Sequence, residues 1–380
     1  MGDRTRAYFM FTHFSSTIQK TRPTRTDAIR ARASAARPMS PTHDMHALVL
    51  QHDGYADPAA GAATPALAEL IALRRITRPQ PGADQLLVRV TLSPVNPSDL
   101  LYVAGTYGQP RVRGTPAGFE GTGIVVAAGA DASPALIGKR VSFLATASGA
   151  WAEYALTDPM ACVPVGNALR DEDAAALLVN PLTALAMAEL AVEAGTRAVV
   201  LTAATSQLGR MLIPLLRERG LTPIAVVRRT EAAAALRALG AAEVLVGSAP
   251  DYAARLAAAL NAHAPRLLLD AVGDQASANL FLAMPTHSRW VAYGILSATG
   301  LCLPDVRAFV FAGKRIEGFW LSRWLRAASP AVRAAAVDAV QQRFVDGHWR
   351  TQVGARVPLA DVLEQLPTAL QRPGKVLIAP

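Results

Sequence analysis

The sequence predicts an α/β protein with two domains, a β-rich domain followed by a doubly wound parallel sheet. Three observations support this prediction. The chain has 380 residues, more than one hydrophobic core usually serves. Short apolar runs separated by Gly and Pro turns follow one another from residue 45 to about residue 170. Beyond that point, strand-length apolar runs alternate with helical sequence, and this alternation builds a parallel sheet.

Residues 1–44 differ in composition from the rest of the chain. They contain eight Lys or Arg and three Asp, so they carry +5 of the net charge of +9. Their Arg- and Ser-rich sequence resembles an organellar transit peptide, and the lack of a continuous apolar segment argues against a secretory signal. We predict a disordered extension or a targeting segment, and prefer the first. The expected location is therefore cytoplasmic, or mitochondrial if the segment is a transit peptide.

The composition also limits the classes of function. Outside residues 1–44 the net charge is only +4, which does not form the basic stripe that nucleic-acid binding needs. The longest apolar stretch, residues 174–190, is interrupted by Asn180-Pro181, so we expect a buried helix there and no membrane span. Cys162 and Cys302 are too few for a disulfide framework or a metal cluster. The expected partner is a small molecule, with no nucleic acid and no membrane.

The β-rich domain is predicted from a series of short segments with the composition of strands. They are His46–Leu50, Gln85–Thr91, Gly121–Ala127, Lys139–Phe143 and Trp151–Ala155. Their regular spacing between turns favours a compact, barrel-like arrangement. The last apolar segment of the chain, Lys375–Ile378, is expected to return to this domain.

The second domain is predicted from alternating helices and strands. Asp171 is a candidate N-cap for a helix over 172–178, and Asn180 for a following helix with Pro181 at its first position. The strands are expected at 198–202, 223–227, 243–246, 266–270 and 289–293.

The segment from Arg197 to Arg229 carries the clearest functional signal. It has the order strand, turn, helix, strand, and a helix N-terminus at such a turn binds phosphate. The turn Ala204–Gly209 keeps only the third glycine of the G-x-G-x-x-G pattern, with Ala204 and Ser206 in the first two places. Arg228 and Arg229 end the second strand, where a carboxylate would select NAD. An arginine pair there favours the 2′-phosphate of NADP.

Several separated motifs together resemble a known family, the zinc-free medium-chain dehydrogenase/reductases. The resemblance is greatest to the NADPH-dependent trans-2-enoyl thioester (enoyl-CoA) reductases, with quinone oxidoreductases as close relatives. It covers residues 45–380. The motifs are Asn96-Pro-Ser-Asp99, Gly105-Thr-Tyr-Gly108, Gly118-Phe-Glu-Gly-Thr-Gly123, Gly149-Ala-Trp-Ala-Glu-Tyr154, Asn180-Pro-Leu-Thr-Ala184, Val226-Val-Arg-Arg229, Tyr293-Gly294 and Gly318-Phe-Trp-Leu-Ser322.

This resemblance implies a domain order and a reaction. It implies a GroES-like catalytic domain over 45–172, a Rossmann NADPH-binding domain over 173–312, and a return to the catalytic domain over 313–380. The implied reaction transfers hydride from NADPH to an activated C=C bond of a 2-enoyl thioester of CoA or acyl carrier protein. The alternatives are an NADPH:quinone oxidoreductase and a non-catalytic NADPH-binding protein. A homodimer is also implied.

The resemblance further implies the site residues. Tyr107 is expected to orient the thioester and to protonate its α-carbon, directly or through a water chain. Lys375 is expected to reach the cofactor from the C-terminal strand. The cofactor-binding set is Asn180, Thr183, Thr205, Ser206, Gln207, Leu208, Gly209, Arg228, Arg229, Thr230, Tyr293, Gly294, Ile295, Leu296, Phe319, Trp320, Leu321 and Lys375.

No metal is expected in the site. In zinc-bearing relatives a Cys lies near the segment matching 96–99, and a His precedes the Glu that matches Glu120; here there is no Cys, and Phe119 takes the place of the His. Without zinc, Glu120 is expected to be structural.

For two pairs of residues near the substrate region, the sequence leaves two alternative roles. Arg111 and Arg113 either meet a phosphate of CoA or a carrier protein, or belong to the loop surface. Trp320 and Trp324 either wall an apolar acyl slot or belong to the core.

Overall fold

The computed structural model describes residues 44–57 and 65–380. The strands are β1 (Asp44–Leu50), β2 (Ile71–Thr77), β3 (Leu86–Pro94), β4 (Glu120–Ala128), β5 (Arg140–Leu144), β6 (Tyr154–Thr157), β7 (Cys162–Pro164), β8 (Ala198–Leu201), β9 (Thr222–Val227), β10 (Glu243–Val246), β11 (Leu267–Asp270), β12 (Arg289–Ala292), β13 (Arg315–Gly318), β14 (Val353–Pro358) and β15 (Lys375–Ala379). The prediction for residues 1–44 falls, apart from Asp44, outside the described residues.

The helices lie mainly in the second half of the chain. They are α1 (Leu67–Leu70), α2 (Pro97–Ala104), α3 (Asp171–Ala175), α4 (Val179–Glu193), α5 (Gln207–Glu218), α6 (Ala233–Ala238), α7 (Tyr252–His263), α8 (Gln275–Ala283), α9 (Arg307–Val310), α10 (Leu321–Ala327), α11 (Pro330–Val345) and α12 (Val362–Ala369). No helix in the described ranges has both the length and the apolar character needed to cross a bilayer.

The first half of the chain is rich in strands, as predicted, and these strands pair antiparallel. β1 pairs with β2, and a larger sheet has the order β14-β15-β3-β4-β5-β7, with β6 also paired to β3. The C-terminal strand β15 lies against β3, so the end of the chain does return to this sheet.

Two of the sequence motifs pack against each other in the core of this region. The Trp151 side chain is fully buried, and its indole N–H donates to the carbonyl oxygen of Pro94 at 3.3 Å. Gly118 faces it with φ of +92°, and a Cβ atom at Gly118 would lie 2.4 Å from Trp151 Cδ1. Only glycine fits at this position, because the conformation and the close approach both exclude a side chain.

The second region is a doubly wound parallel sheet. Its strand order is β10-β9-β8-β11-β12-β13, and every adjacent pair is parallel. In chain order this is 3-2-1-4-5-6, the Rossmann order, with its switch point between β8 and β11. The predicted strands are confirmed to within a residue. β13, at 315–318, also belongs to this sheet although it lies beyond residue 312; the domain limits themselves stay a prediction.

The two predicted helix starts near residue 171 and residue 180 are wrong in detail. Asp171 is the first residue of α3, which ends at Ala175, and Arg170 is the N-cap. Asn180 lies inside α4, whose N-cap is Leu178. The cap of α4 comes from elsewhere in the chain, since the carboxylate of Glu120 accepts the N–H groups of Leu178 and Val179 at 3.1 and 2.9 Å. A local capping residue is therefore not needed.

Candidate active site

A large cavity lies beyond the carboxyl ends of the parallel strands. Its volume is about 1100 Å³. The ends of β12 and β13 and the first turn of α5 form one side of its wall, and α2, the loop after α2 and β15 form another. Ligands of doubly wound sheets bind at this edge of the sheet. The cavity is therefore the candidate active site.

Most of the predicted site residues line this cavity. They are Tyr107, Asn180, Thr183, Thr205, Ser206, Gln207, Leu208, Tyr293, Gly294, Ile295, Leu296, Phe319, Trp320, Leu321 and Lys375. Four predicted residues do not form part of its wall, namely Gly209, Arg228, Arg229 and Thr230.

The turn between β8 and α5 has the geometry of a phosphate-binding turn despite its single glycine. Ser206 Oγ accepts the N–H of Gly209 at 3.1 Å and caps α5. A Cβ atom at Gly209 would lie 2.6 Å from the carbonyl oxygen of Ala204, so the helix can approach the strand only with glycine here. Ala203 takes the left-handed conformation, with φ of +47°. The N–H groups at the start of α5 border the cavity and are suited to an anion.

The arginine pair follows β9 at the same edge of the sheet. Arg228 and Arg229 are exposed, and neither forms an ion pair with any residue that the structure describes. The backbone at Arg228 is held in place, because Ser248 Oγ donates to its carbonyl oxygen at 2.8 Å. Both guanidinium groups are therefore available to an anionic group at the sheet edge.

A chain of buried polar side chains connects the cavity wall to helix α4. Lys375 Nζ donates to Asn96 Oδ1 at 2.6 Å, and Asn96 Nδ2 donates to Glu120 Oε1 at 2.7 Å. The other oxygen of Glu120 caps α4, as described above. The predicted structural role of Glu120 thus has a specific form: it ties the start of α4 to Asn96 and, through Asn96, to Lys375.

A second carboxyl group lies beside this chain. Asp99 accepts the N–H groups of Asn96 and Phe119 at 2.7 and 2.8 Å, which fixes the start of α2 against β4. Burial raises the pKa of Asp99 to about 7, although these two N–H groups act in the opposite direction. Burial also raises the pKa of Glu120 and lowers the pKa of Lys375, while the attraction between the two charges opposes both shifts. Behind the cavity wall, therefore, Asp99, Glu120 and Lys375 form a buried group whose net charge depends on the proton of Asp99.

Tyr107 lies in an aromatic cluster at the cavity wall. Its ring centroid is 5.0 Å from that of Phe119 and 5.8 Å from that of Trp320. The indole N–H of Trp320 donates to the Tyr107 hydroxyl oxygen at 2.7 Å. Because an indole can only donate, this bond does not use the hydroxyl proton of Tyr107. Burial raises the pKa of Tyr107, and the hydrogen bonds of Trp320 and Ser322 oppose this rise, so the hydroxyl is protonated at neutral pH.

Comparison with known proteins identifies the family. The alcohol dehydrogenase GroES-like domain family matches residues 82–167. A solved structure from Mesorhizobium loti, provisionally assigned as an NADPH:quinone reductase, has a TM-score of 0.84 and 44% sequence identity, and the match covers 90% of this chain and 99% of that one. The chain belongs to the medium-chain dehydrogenase/reductase superfamily.

Relatives of this medium-chain dehydrogenase/reductase include mitochondrial enoyl-[acyl-carrier-protein] reductases. The Arabidopsis thaliana protein is 30% identical over 247 residues, which are 64% of this chain and 66% of that protein. The Caenorhabditis elegans protein is 28% identical over 331 residues, which are 85% of this chain and 92% of that protein. The matching domain over 82–167 includes β3 to β7, so the antiparallel region is the GroES-like part of the family fold.

The structure decides the open question about Arg111 and Arg113. Arg111 is buried, and its Nε and Nη1 donate to the carbonyl oxygens of Gly54 and Val103 at 3.0 and 3.3 Å. It therefore holds the loop after α2 and is neither loop surface nor available to a phosphate. Arg113 is exposed but does not line the cavity.

The sequence interpretation missed the roles of Asn96, Asp99 and Ser322. The first two stand in the Asn96-Pro-Ser-Asp99 motif, and this is a capping-box pattern with proline at the first helical position. That pattern was a usable signal for a buried cap, but it does not reveal the contact with Lys375. Within the described ranges, no group of three or more His, Cys, Asp or Glu side chains is placed to hold a metal ion.

Proposed function

We propose that this protein is a zinc-independent NADPH-dependent reductase of an activated C=C bond, most specifically of a trans-2-enoyl thioester of CoA or acyl carrier protein. The observation that carries the proposal is the Tyr107 hydroxyl, which lies at the cavity wall and accepts from Trp320 in a bond that does not use its own proton. A proton donor beside a cofactor cavity is what reduction of a polarised double bond requires.

The cofactor end of the cavity fits NADPH. The approach of Gly209 to Ala204 and the Ser206 cap are features of a pyrophosphate-binding turn. Thr205 to Leu208 would hold the pyrophosphate, and Arg228, Arg229 and Thr230 the 2′-phosphate. Asn180, Thr183, Tyr293 to Leu296, Phe319 to Leu321 and Lys375 would border the nicotinamide. When bound, NADPH supplies the hydride that adds to the β-carbon of the substrate.

The protein's own contribution to the reaction is orientation and a proton. Tyr107 would hold the thioester and deliver its hydroxyl proton to the α-carbon, and it would regain a proton from water. Trp320 keeps the hydroxyl oxygen in position, since its N–H occupies one acceptor site of that oxygen. The product is the saturated thioester.

A second candidate function is NADPH:quinone reduction. It is supported by the 44% identity to the M. loti protein, whose assigned name refers to quinone. Reduction of an enoyl thioester is supported by the enoyl-[acyl-carrier-protein] reductase relatives. It is also supported by the proton donor, because the α-carbon of a thioester needs a positioned donor, whereas a quinone acquires its protons on oxygen and exchanges them freely with water.

Parallel assays separate these functions. We expect NADPH oxidation by the full chain to accelerate with crotonyl-CoA, and to yield butyryl-CoA. Turnover with a panel of quinones and none with enoyl-CoA of several chain lengths would support the second candidate instead. Tight NADPH binding without turnover on either panel would indicate a non-catalytic NADPH-binding protein.

We also propose a homodimer in which two copies pair through β13. This strand is the outer edge of the parallel sheet, all four of its residues are exposed, and the segment before it exposes Val310 and Phe311, the latter to 81%. An uncovered edge strand favours pairing with another chain, the exposed Val310 and Phe311 beside it add apolar surface, and a twofold axis would cover both copies equally.

The dimer has a direct test. Light scattering should give a molar mass of about two chains for the wild type, and of one chain for Phe311→Asp. Val345→Asp, at an exposed position on α11, is the control and should remain dimeric. A monomeric wild type would contradict the proposal.

For the location in the cell we propose the cytoplasm. The mitochondrial names of the relatives support the alternative, in which residues 1–44 act as a transit peptide. A reporter protein fused behind residues 1–44 decides between them: diffuse fluorescence supports the cytoplasm, and import into mitochondria contradicts it.

A further inference from the structure

The cavity wall contains three arginines without a carboxylate partner. Arg210, Arg326 and Arg333 all line the cavity, and none of them forms an ion pair with a residue in the described ranges. Arg343, on the same helix as Arg333 but away from the cavity, does pair with Glu218. Unpaired guanidinium groups in a cavity are suited to an anionic ligand, because they carry a charge and five donors each.

Arg333 is the most unusual of the three. Its Nε atom is buried and has no hydrogen-bond partner among the residues that the structure describes. It lies in the first turn of α11, whose start is already capped by Ser329. A buried N–H of a charged group without an acceptor is costly, and such atoms in native proteins usually meet a water or a ligand. The two Nη atoms of Arg333 are not among the buried atoms and form no hydrogen bond within the described residues, so they are the donors that a ligand in the cavity can reach.

The position of Arg326 shows that this part of the cavity lies near Tyr107. Its guanidinium carbon lies 5.4 Å from the centroid of the Trp320 ring, and the Trp320 N–H donates to the Tyr107 hydroxyl. Only one indole ring therefore separates Arg326 from the proposed proton donor. A cation–π contact with an aromatic ring uses none of the N–H donors of a guanidinium in a hydrogen bond, so these donors can bind an anion.

We propose that Arg333 and Arg326 form a phosphate-binding subsite that holds the phosphopantetheine phosphate of the thioester carrier. The inference rests on the proposed function and specifies its substrate: a thioester on a phosphate-bearing carrier, CoA or acyl carrier protein. Under that function the cavity receives the phosphates of NADPH and the phosphate of the thioester carrier. The proposed sites for the NADPH phosphates are the start of α5 and Arg228–Arg229, whereas the subsite on α10 and α11 lies near Tyr107 through Arg326 and Trp320.

The test compares two thioesters that differ in the phosphate. Crotonyl-CoA carries it, and S-crotonyl-N-acetylcysteamine ends before it. For Arg333→Gln and Arg326→Gln, we expect the ratio of kcat/KM for crotonyl-CoA to kcat/KM for the short thioester to fall about tenfold, the size of a lost hydrogen bond to a charged group. Arg323→Gln is the matched control, since Arg323 lies on α10 but is exposed and outside the cavity wall. Its ratio should equal that of the wild type.

Fluorescence titration with NADPH tests whether the two arginines bind a phosphate of the cofactor or the phosphate of the thioester carrier. The inference expects the NADPH dissociation constant of Arg333→Gln to equal that of the wild type. A weaker NADPH affinity with an unchanged thioester ratio would assign the arginines to the cofactor and overturn the inference. Equal losses on both thioesters would overturn it too, because they would show a role in the acyl pocket or in folding.

The proposed function fails by a different result. A wild-type protein that reduces neither thioester but reduces quinones, or that does not bind NADPH, would overturn the proposed function and the subsite with it. A wild-type protein that reduces both thioesters with a ratio unaffected by Arg333→Gln overturns only the subsite. The two failures are therefore separate.

Discussion

The two ends of the cavity are built in opposite ways. The cofactor end comes from one continuous unit, in which β8, the turn at Ser206, α5 and β9 follow each other within residues 198–227. The reactive end is assembled from distant segments: Trp320 meets Tyr107 across 213 positions, and Lys375 meets Asn96 across 279. A local unit can be recognised from its own sequence, whereas an assembled one exists only in the folded chain.

This difference leads to different consequences of mutation. Changes at the cofactor end should act on affinity and on the packing of one helix against one strand. Changes at the reactive end should act on the rate and on the pH dependence, because that end holds the proton donor and the buried charges.

The largest expected effect is at the reactive end. Tyr107→Phe removes the hydroxyl proton and should lower kcat for crotonyl-CoA by about 100-fold or more, the usual contribution of a general acid. The NADPH dissociation constant should not change, since the ring still packs on Phe119. Stopped-flow and steady-state NADPH oxidation measure the rate.

The control for this substitution is Tyr252→Phe, at a tyrosine outside the main cavity wall. A Tyr107→Phe enzyme as fast as the wild type would remove Tyr107 from the reaction and would leave a water chain as the proton source.

The next effect is at the cofactor end. Gly209→Ala places a Cβ atom 2.6 Å from a backbone oxygen of Ala204, which cannot move away as a flexible side chain would. We expect a loss of about 1–3 kcal/mol in the free energy of unfolding, the range for overpacking. Urea denaturation measures it.

Gly166→Ala is the matched control, because a Cβ atom there meets open space and φ is not positive. If both alanine variants had the stability of the wild type, the close packing of α5 on the turn would not limit residue 209.

A smaller and more specific effect is expected at the arginine pair. Arg228→Ala should weaken NADPH binding by about tenfold, the value of a lost hydrogen bond between charged groups, and should change NADH binding much less. Fluorescence titration with both cofactors measures the difference. Equal losses for NADPH and NADH would show that Arg228 does not contact the 2′-phosphate.

A pH dependence of stability is also expected at the reactive end. Asp99 has a pKa of about 7 in the folded chain, above the value of 3.8 for an exposed Asp, so the folded state binds more protons between these pH values. The stability from this group is present below pH 3.8 and is lost as the pH rises through about 7. Burial of Glu120 raises its pKa also and acts in the same direction.

Asp99→Asn isolates the pH dependence because it keeps the shape and removes the titrating proton; it also loses one of the two accepted N–H bonds, which lowers the stability at both pH values alike. Urea unfolding at pH 5 and at pH 8 should show a larger loss of stability with rising pH in the wild type than in the variant. Equal losses would mean that Asp99 keeps an ordinary pKa in the folded protein.

The fold was largely predictable because its signals are local. The alternation of apolar strands and helices gave the parallel sheet, and Gly209 with Arg228 and Arg229 indicated the cofactor turn. The helix start at α4 was predicted wrongly because its cap, Glu120, lies 59 positions from Val179. Arg111 was misplaced for a similar reason: nothing in its own loop shows that Gly54 and Val103 will enclose it.

The sequence by itself determined the α/β class and the succession of strand, turn, helix and strand in the cofactor unit, since strand period and turn chemistry are properties of short segments. The site residues that were predicted came from the resemblance to a known family, and 15 of them line the cavity. Only the tertiary structure decided that Trp320 donates to Tyr107 and that Lys375 is tied to Glu120 through Asn96. It also decided that Arg333 Nε is buried without a hydrogen-bond partner in the described part of the chain. These features depend on burial, which brings polar groups from distant parts of the chain together and removes their hydrogen bonds to water. A buried polar group then needs a hydrogen-bond partner from the protein or from a ligand.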